Sequence, residues 1–144
     1  MDCPFCLIKE KEQDRMLFEG EHVFVILSNP RLVPGHTLVI PKRHVERPSE
    51  MTQSERVELF EVLLQWQVRI MERYSSGCDI RQNCRPFQPQ DWIKQHHVHF
   101  HLQPREWQDE IYDRFQKHER DMFQYLPDEE RSRFMELFRE EHGA

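Results

Sequence analysis

The sequence predicts an α+β fold: an antiparallel sheet of about five strands packed by one long helix, with further helices toward the carboxy-terminal end. Three observations carry that expectation. Short runs of β-branched and aromatic residues recur between Leu17 and Ile40, punctuated by Gly and Pro. The segment from Thr52 to about Ser75 has helical periodicity. Strict alternation of histidine with apolar residues then begins at His97.

The elements follow in order. Met1 to Cys6 is a short loop, Met-Asp-Cys-Pro-Phe-Cys. Leu17 to Ser28 reads as two strands around the turn Glu19-Gly20-Glu21, with Val23 to Leu27 the stronger. Asn29-Pro30 and Pro34-Gly35 break the chain. The run Thr37-Leu38-Val39-Ile40 is the next strand, stopped by Pro41. Thr52-Gln53-Ser54-Glu55 fits a capping box, a hydroxyl at the N-cap and a carboxylate three residues on. Val57, Phe60, Leu63, Leu64, Met71 and Tyr74 then mark the helix, and Gly77 ends it. Cys78 to Asn83 is a candidate strand, Arg85 to Asp91 a proline-punctuated loop, and His97 to Gln103 a strand. In the tail, Trp107, Ile111, Phe115, Met122 and Leu126 follow a helical stripe. Pro127 before Asp128, Glu129 and Glu130 suits the first turn of another helix.

Composition narrows the function classes. With 144 residues, 38% hydrophobic and 32% charged, the chain has room for one ordinary domain with its own core. No stretch approaches a transmembrane helix, and the first residues lack the features of a signal peptide. A cytoplasmic protein with no membrane association is the expectation. The net charge of −6 arises entirely in residues 106–144, because residues 1–105 hold 14 acidic and 14 basic side chains. A protein built to grip a nucleic acid polymer shows a basic field, and this one does not. A small phosphorylated ligand needs only a few local donors. Four cysteines in such a chain read as thiols or metal ligands rather than disulfides.

His97-Val98-His99-Phe100-His101-Leu102 is the most informative segment. On a strand, alternate residues share a face at a spacing of roughly 6.6 Å. Three imidazoles therefore line one face, and Val98, Phe100 and Leu102 point into a core. Taken alone, the strand fits a three-histidine metal site and a nucleophilic histidine about equally well.

The flanking residues add a resemblance. His97 to Arg105, ending Gln103-Pro104-Arg105, resembles the signature of the histidine-triad (HIT) family. Pro34-Gly35-His36-Thr37-Leu38-Val39-Ile40-Pro41-Lys42-Arg43-His44 is similar to a second characteristic block of that family. The resemblance implies that His99 attacks the α-phosphorus of a nucleotide and that water then releases the nucleoside monophosphate. It gives His101 a role in holding phosphoryl oxygens or the leaving group, and His36 the role of supporting the triad. Asn83 matches an asparagine that helps hold the phosphate, and Asn29 lies where a residue contacts ribose. The usual Gly-Gln-Ser/Thr stretch before the triad is replaced by Asp91 to His96, so donors to the leaving group come from Gln90, Lys94 or Gln95. Gln103 stands where the family usually carries an apolar residue. An alternative His-x-His-x-Gln register over residues 99–103 would move the nucleophile to His101; Pro104-Arg105 favours His99.

Cys3 and Cys6 have the spacing of paired metal ligands. The resemblance extends to a zinc-binding subset of the family and implies one structural zinc per chain on Cys3, Cys6, His44 and His97. The competing reading is a redox motif, but no strand precedes Cys-Pro-Phe-Cys, as such a motif requires. His22, His118 and His142 read as surface residues.

The expected organisation is a HIT domain over residues 1–105, with a helical extension, residues 106–144, packed on the same domain. The expected function is a nucleotide hydrolase acting at the α-phosphate of dinucleoside polyphosphates or nucleoside phosphoramidates, with a purine nucleotide as substrate. A nucleotidyltransferase with the same covalent intermediate and a non-catalytic nucleotide- or zinc-binding module stay open beside it. The resemblance also implies a homodimer.

Overall fold

The computed structural model describes residues 3–139. Five antiparallel strands form one sheet: β1 (Met16–Glu19), β2 (Val23–Leu27), β3 (Thr37–Pro41), β4 (Gly77–Arg81) and β5 (Phe100–Arg105), in the order β1-β2-β3-β5-β4. A 3-10 turn, Pro4–Leu7, leads into the short helix α1 (Ile8–Lys11), and α2 (Gln53–Arg73) is the long helix. The Pro4–Leu7 turn overlaps the stretch that the sequence suggested as a loop, residues 1–6. No helix among the described residues is long and apolar enough to cross a membrane.

Both faces of the sheet centre are covered, which is why Val23 to Ile26 are all buried despite strand alternation. Val23, Val25, Val39 and Leu102 pack with Leu59, Val62 and Leu63 of α2 on one face. Phe24, Ile26, Leu38 and Ile40 pack with Ile8, Phe5 and Met16 on the other. Fully burying a side chain of this size contributes about 1.5–3 kcal/mol. The pairing Leu38↔His101 places that histidine on the second face, beyond the edge of this N-terminal cover.

The capping box forms as expected. Thr52 Oγ1 accepts from the Glu55 N–H at 3.2 Å, and the Glu55 carboxylate accepts from the Thr52 N–H at 2.8 Å. The Arg43 guanidinium beside Glu55 holds that buried carboxyl down at about 2.

The face of α2 that the sequence suggested is corrected. Of the predicted stripe, only Leu63 is buried; Val57, Phe60, Leu64, Met71 and Tyr74 are exposed. Leu59 and Val62, with Trp66 and Ile70 beside them, make the inward face. The helix carries two apolar stripes, and periodicity alone does not say which one the sheet takes.

The histidine strand also starts later than predicted. The ladder between β3 and β5 ends at Val39↔Phe100, so His97 and His99 lie on the segment leading into β5. Past that pair, Ile40 stands opposite His99 and Pro41 opposite Val98, and Pro41 has no N–H to offer a ladder. Alternation persists regardless, because Val98 donates its N–H to the Val45 carbonyl at 2.7 Å and buries its side chain in the α2 core.

Gly35 sits at φ +81°, and a Cβ there would meet Pro104 Cγ and Tyr74 Cε2 at 3.1 Å. Glycine alone satisfies both demands. The turn it makes returns the chain so that His36 donates its N–H to Val33 and accepts from Ser28, fixing that histidine at the mouth of β3.

The chain divides into two units between Asp109 and Glu110. Within the second, a π-helical turn (Tyr112–Gln116), α3 (Lys117–Glu119) and a 3-10 turn (Arg120–Met122) precede α4 (Asp128–Phe138). Pro127 precedes α4, and three acidic residues open its first turn, where the helix dipole favours them. Of the aromatic stripe read along the tail, Phe115, Met122 and Leu126 are exposed, as is Trp107 in the first unit. His142 lies outside the described residues.

Candidate active site

A cleft of about 480 Å³ opens on the second face of the sheet, lined by His36, Asn29, Asn83, His99, His101 and Gln103. Its apolar walls include Phe5, Ile8 and Trp92. β5 and its lead-in supply His99 and His101, β3 supplies Leu38, and β4 brings in Arg81, because Arg81 pairs directly with His101.

The hydrogen bonds define the proton on each ring. His99 Nδ1 lies 2.7 Å from the His97 carbonyl, which only accepts, so Nδ1 carries the proton. Its Nε2 is then a bare lone pair. His36 Nδ1 accepts the Leu32 N–H at 3.0 Å, so its Nε2 carries the proton and donates it to His101 Nδ1 at 2.8 Å. His101 therefore bears its own proton on Nε2. The two rings whose partners are now named, His99 and His101, stand 4.9 Å apart between centroids. One offers a lone pair and the other an N–H.

The neutral state that this pattern needs is the one the surroundings favour. Burial, followed by the neighbouring His99, pushes His36 down to about 4. Burial pushes His101 down to about 3, with His99, His36, Arg81 and Lys94 adding to the effect. Burial also lowers His99, aided by Lys94 and opposed by the bond to the His97 carbonyl. An uncharged imidazole with a free nitrogen is a competent nucleophile near pH 7.

A second cluster lies beside the first. Ligand atoms of Cys3, Cys6, His44 and His97 all fall within 4.8 Å of one another. His97 Nδ1 is 3.3 Å from Cys3 Sγ and 3.7 Å from Cys6 Sγ, and His44 Nδ1 is 3.5 Å from Cys6 Sγ. His97 gives its Nε2 proton to the Pro41 carbonyl at 2.8 Å, which leaves Nδ1 as the lone pair facing the thiols. His44 Nε2 is 3.7 Å from the Glu46 carboxylate, turning its Nδ1 the same way. Burial and the adjacent Cys3 push the Cys6 thiol up to about 11.

The other predicted residues fall as follows. Asn29 and Asn83 line the cleft. Gln90 accepts the His96 N–H at 3.2 Å. His96 bonds the Gln88 carbonyl at 2.9 Å and is absent from the thiol cluster. Sequence reasoning missed Phe5, which meets the His99 ring edge-on at 5.1 Å. It also missed Arg81, whose place beside His101 follows from strand pairing that no local pattern reveals.

Comparison with known proteins bears on all of this. The HIT domain family model matches residues 9–107. A bis(5'-adenosyl)-triphosphatase of Dictyostelium discoideum is 29% identical over 137 residues, covering 89% of this chain and 88% of that protein. The crystal structure of SMU.412c from Streptococcus mutans UA159 superposes with a TM-score of 0.74 at 32% identity, covering 95% of this chain and 81% of that one. A Zn-bound histidine triad family protein from Mycobacterium smegmatis gives a TM-score of 0.65 at 26% identity, covering 92% of this chain and 88% of that one. With the family model spanning most of the chain and the sheet, long helix and triad in place, this protein belongs to the HIT family.

Proposed function

We propose that the protein is a nucleotide hydrolase acting at the α-phosphate of dinucleoside polyphosphates or nucleoside phosphoramidates, with His99 as nucleophile. The observation that carries this reading is the proton order on the rings: His99 holds a bare Nε2 beside a His101 that presents an N–H. In the first step the Nε2 lone pair forms a bond to phosphorus and the bond to the leaving group breaks. The imidazole becomes cationic, and its proton stays on Nδ1, hydrogen-bonded to the His97 carbonyl. Water then attacks phosphorus, the P–N bond breaks, and its electron pair returns to Nε2 as the water proton is released. His101 Nε2–H donates to a phosphoryl oxygen, and His36 keeps that donor oriented. The same order disfavours His101 as the nucleophile, since its Nδ1 is occupied and its Nε2 is protonated. Asn29 and Asn83 serve the ribose and phosphate. The Dictyostelium relative, a bis(5'-adenosyl)-triphosphatase, supports a purine dinucleotide as substrate.

The thiol cluster fits one structural zinc ion. With Zn–S near 2.3 Å and Zn–N near 2.05 Å, a tetrahedral ion sets its S···N edges at about 3.6 Å. The separations here are 3.3, 3.5 and 3.7 Å. Cys3, Cys6, His44 and His97 would hold the ion, which would lower the thiol pKa values and tie the N-terminal turn to the catalytic segment. The Mycobacterium relative is Zn-bound.

A homodimer follows from two unpartnered surfaces. Val57, Phe60, Leu64, Val68 and Met71 form an exposed stripe at 3–4-residue spacing along α2, and β4 is an edge strand. A second copy pairing β4 with β4 would continue the sheet and seat α2 against its mate.

Chromatography of products from diadenosine tetraphosphate and an adenosine phosphoramidate tests the reaction. Wild type is expected to release AMP, and His99→Asn to lose at least about a thousandfold in rate. Equal release by the variant would move the nucleophile to His101, and release only with an added phosphorylated acceptor would make the protein a transferase. Metal analysis is expected to find one zinc per chain in wild type and in His99→Asn, and none in Cys3→Ser/Cys6→Ser, which should also melt at a lower temperature. In sedimentation, the wild type should run as a dimer and Phe60→Glu/Leu64→Glu as a monomer; a monomeric wild type refutes the interface.

Stability should also depend on pH with a defined sign. Unfolded histidines titrate near 6.5, while folded His36 and His101 titrate at about 4 and about 3. The native state binds fewer protons between these values, so the stability they contribute is complete above pH 6.5 and drains as pH falls. At pH 5 the loss is on the order of 2 kcal/mol per histidine. Calorimetry of wild type against His36→Asn/His101→Asn checks this; an equal drop in Tm for both would refute it.

A further inference from the structure

His99 lines two cavities, not one. Besides the wide cleft, a smaller cavity of about 140 Å³ is bounded by the Glu46–Arg47 corner, the turn at Arg85 and the loop Lys94 to His96. His99, Asn83 and Gln95 line both. A phosphorus atom at His99 therefore stands at a junction, with room for one substituent on each side.

The two spaces differ in chemistry. The cleft offers aromatic and aliphatic walls with amide side chains, as a nucleoside requires, and spreads Arg15, Arg31, Arg81 and Glu12 around about 480 Å³, with Arg15 and Glu12 paired to each other. The smaller cavity brings three cations, Arg47, Arg85 and Lys94, against one carboxylate, Glu46. Among the described residues, none of the three is engaged in an ion pair with a carboxylate. Lys94 is fixed through its backbone, whose N–H donates to Asp91 Oδ1 at 2.7 Å. Its charge is felt at both His99 and His101. Gln95 beside Lys94 has a buried Oε1 with no hydrogen-bond partner among the described residues.

We propose that this cavity is the leaving-group subsite, that it selects a compact anion such as phosphate or pyrophosphate, and that Lys94 determines this preference. The inference rests on His99 as nucleophile. When the Nε2–P bond forms, the bridging P–O bond breaks and its electron pair leaves on the bridging oxygen. The leaving group gains one negative charge, which fixed cations stabilise where it develops. Pyrophosphate departs with that charge and needs no proton, whereas a neutral amine gains nothing from three cations. At under a third of the cleft's volume, the cavity also suits an unsubstituted phosphate chain better than a second nucleoside.

The test compares AMP release from ATP, whose leaving group is pyrophosphate, with release from an adenosine phosphoramidate of an uncharged alkylamine. Wild type, Lys94→Ala, Lys94→Arg and His99→Asn are assayed, with pyrophosphate binding measured by titration calorimetry. Losing one charge-assisted contact should lower the ratio of the two kcat/KM values about 10- to 100-fold in Lys94→Ala. Lys94→Arg should restore most of it, and pyrophosphate binding should weaken in parallel. An unmoved ratio, or a wild type that cleaves the phosphoramidate but not ATP, overturns the subsite while leaving His99 intact. AMP release that survives in His99→Asn overturns the nucleophile instead. Should neither substrate turn over, pyrophosphate binding decides: weakening by Lys94→Ala supports the subsite, and no binding refutes it.

Discussion

The arrangement of this site depends on one hydrogen bond, from Nδ1 of His99 to the carbonyl of His97. Neutral imidazole has one proton to place. Spending it on a main-chain acceptor two residues upstream leaves Nε2 bare and aimed away from the backbone. The bond is available because His97 to His99 lies outside the β-ladder, so the His97 carbonyl is not claimed by a neighbouring strand. Pro41, the last residue of β3, supplies the carbonyl that accepts the Nε2–H of His97.

His97 consequently works at both ends. Its carbonyl orients the His99 ring, and its own ring, donating Nε2–H to Pro41, turns a lone pair to the Cys3 and Cys6 thiols. Phe5, placed between those cysteines in the sequence, packs edge-on against both the His97 and the His99 rings. The N-terminal turn is therefore structurally continuous with the catalytic face. A change in the thiol cluster reaches His99 by two routes, the His97 backbone and the Phe5 ring, without any contact between the cluster and the reacting atoms.

Much of this was legible in the sequence because strand alternation and ligand spacing are local. Two-residue alternation at 97–103 was enough to put three imidazoles on one face and Val98 and Leu102 in the core. Thr52 and Glu55 announced the start of α2 by their own chemistry. What failed was everything set by a partner element. α2 has two apolar stripes, and the sheet buries Leu59, Val62 and Leu63 rather than Val57, Phe60 and Leu64. Arg81 reaches His101 only because β4 pairs with β5 in a particular register. Phe5 sits 94 positions before His99 and is brought to it by packing that no periodicity encodes.

Charge placement shows the same division between local and global. A net charge of −6 describes the chain, yet the surroundings of His99 are cationic: Arg81 on β4, Lys94 on the preceding loop, Arg47 and Arg85 nearby. Residues 110–144, the second unit, hold 10 acidic and 6 basic side chains and so most of that excess. Lys94 adds to burial in lowering both His99 and His101, so a cation that lines the smaller cavity also favours the uncharged imidazole at His99.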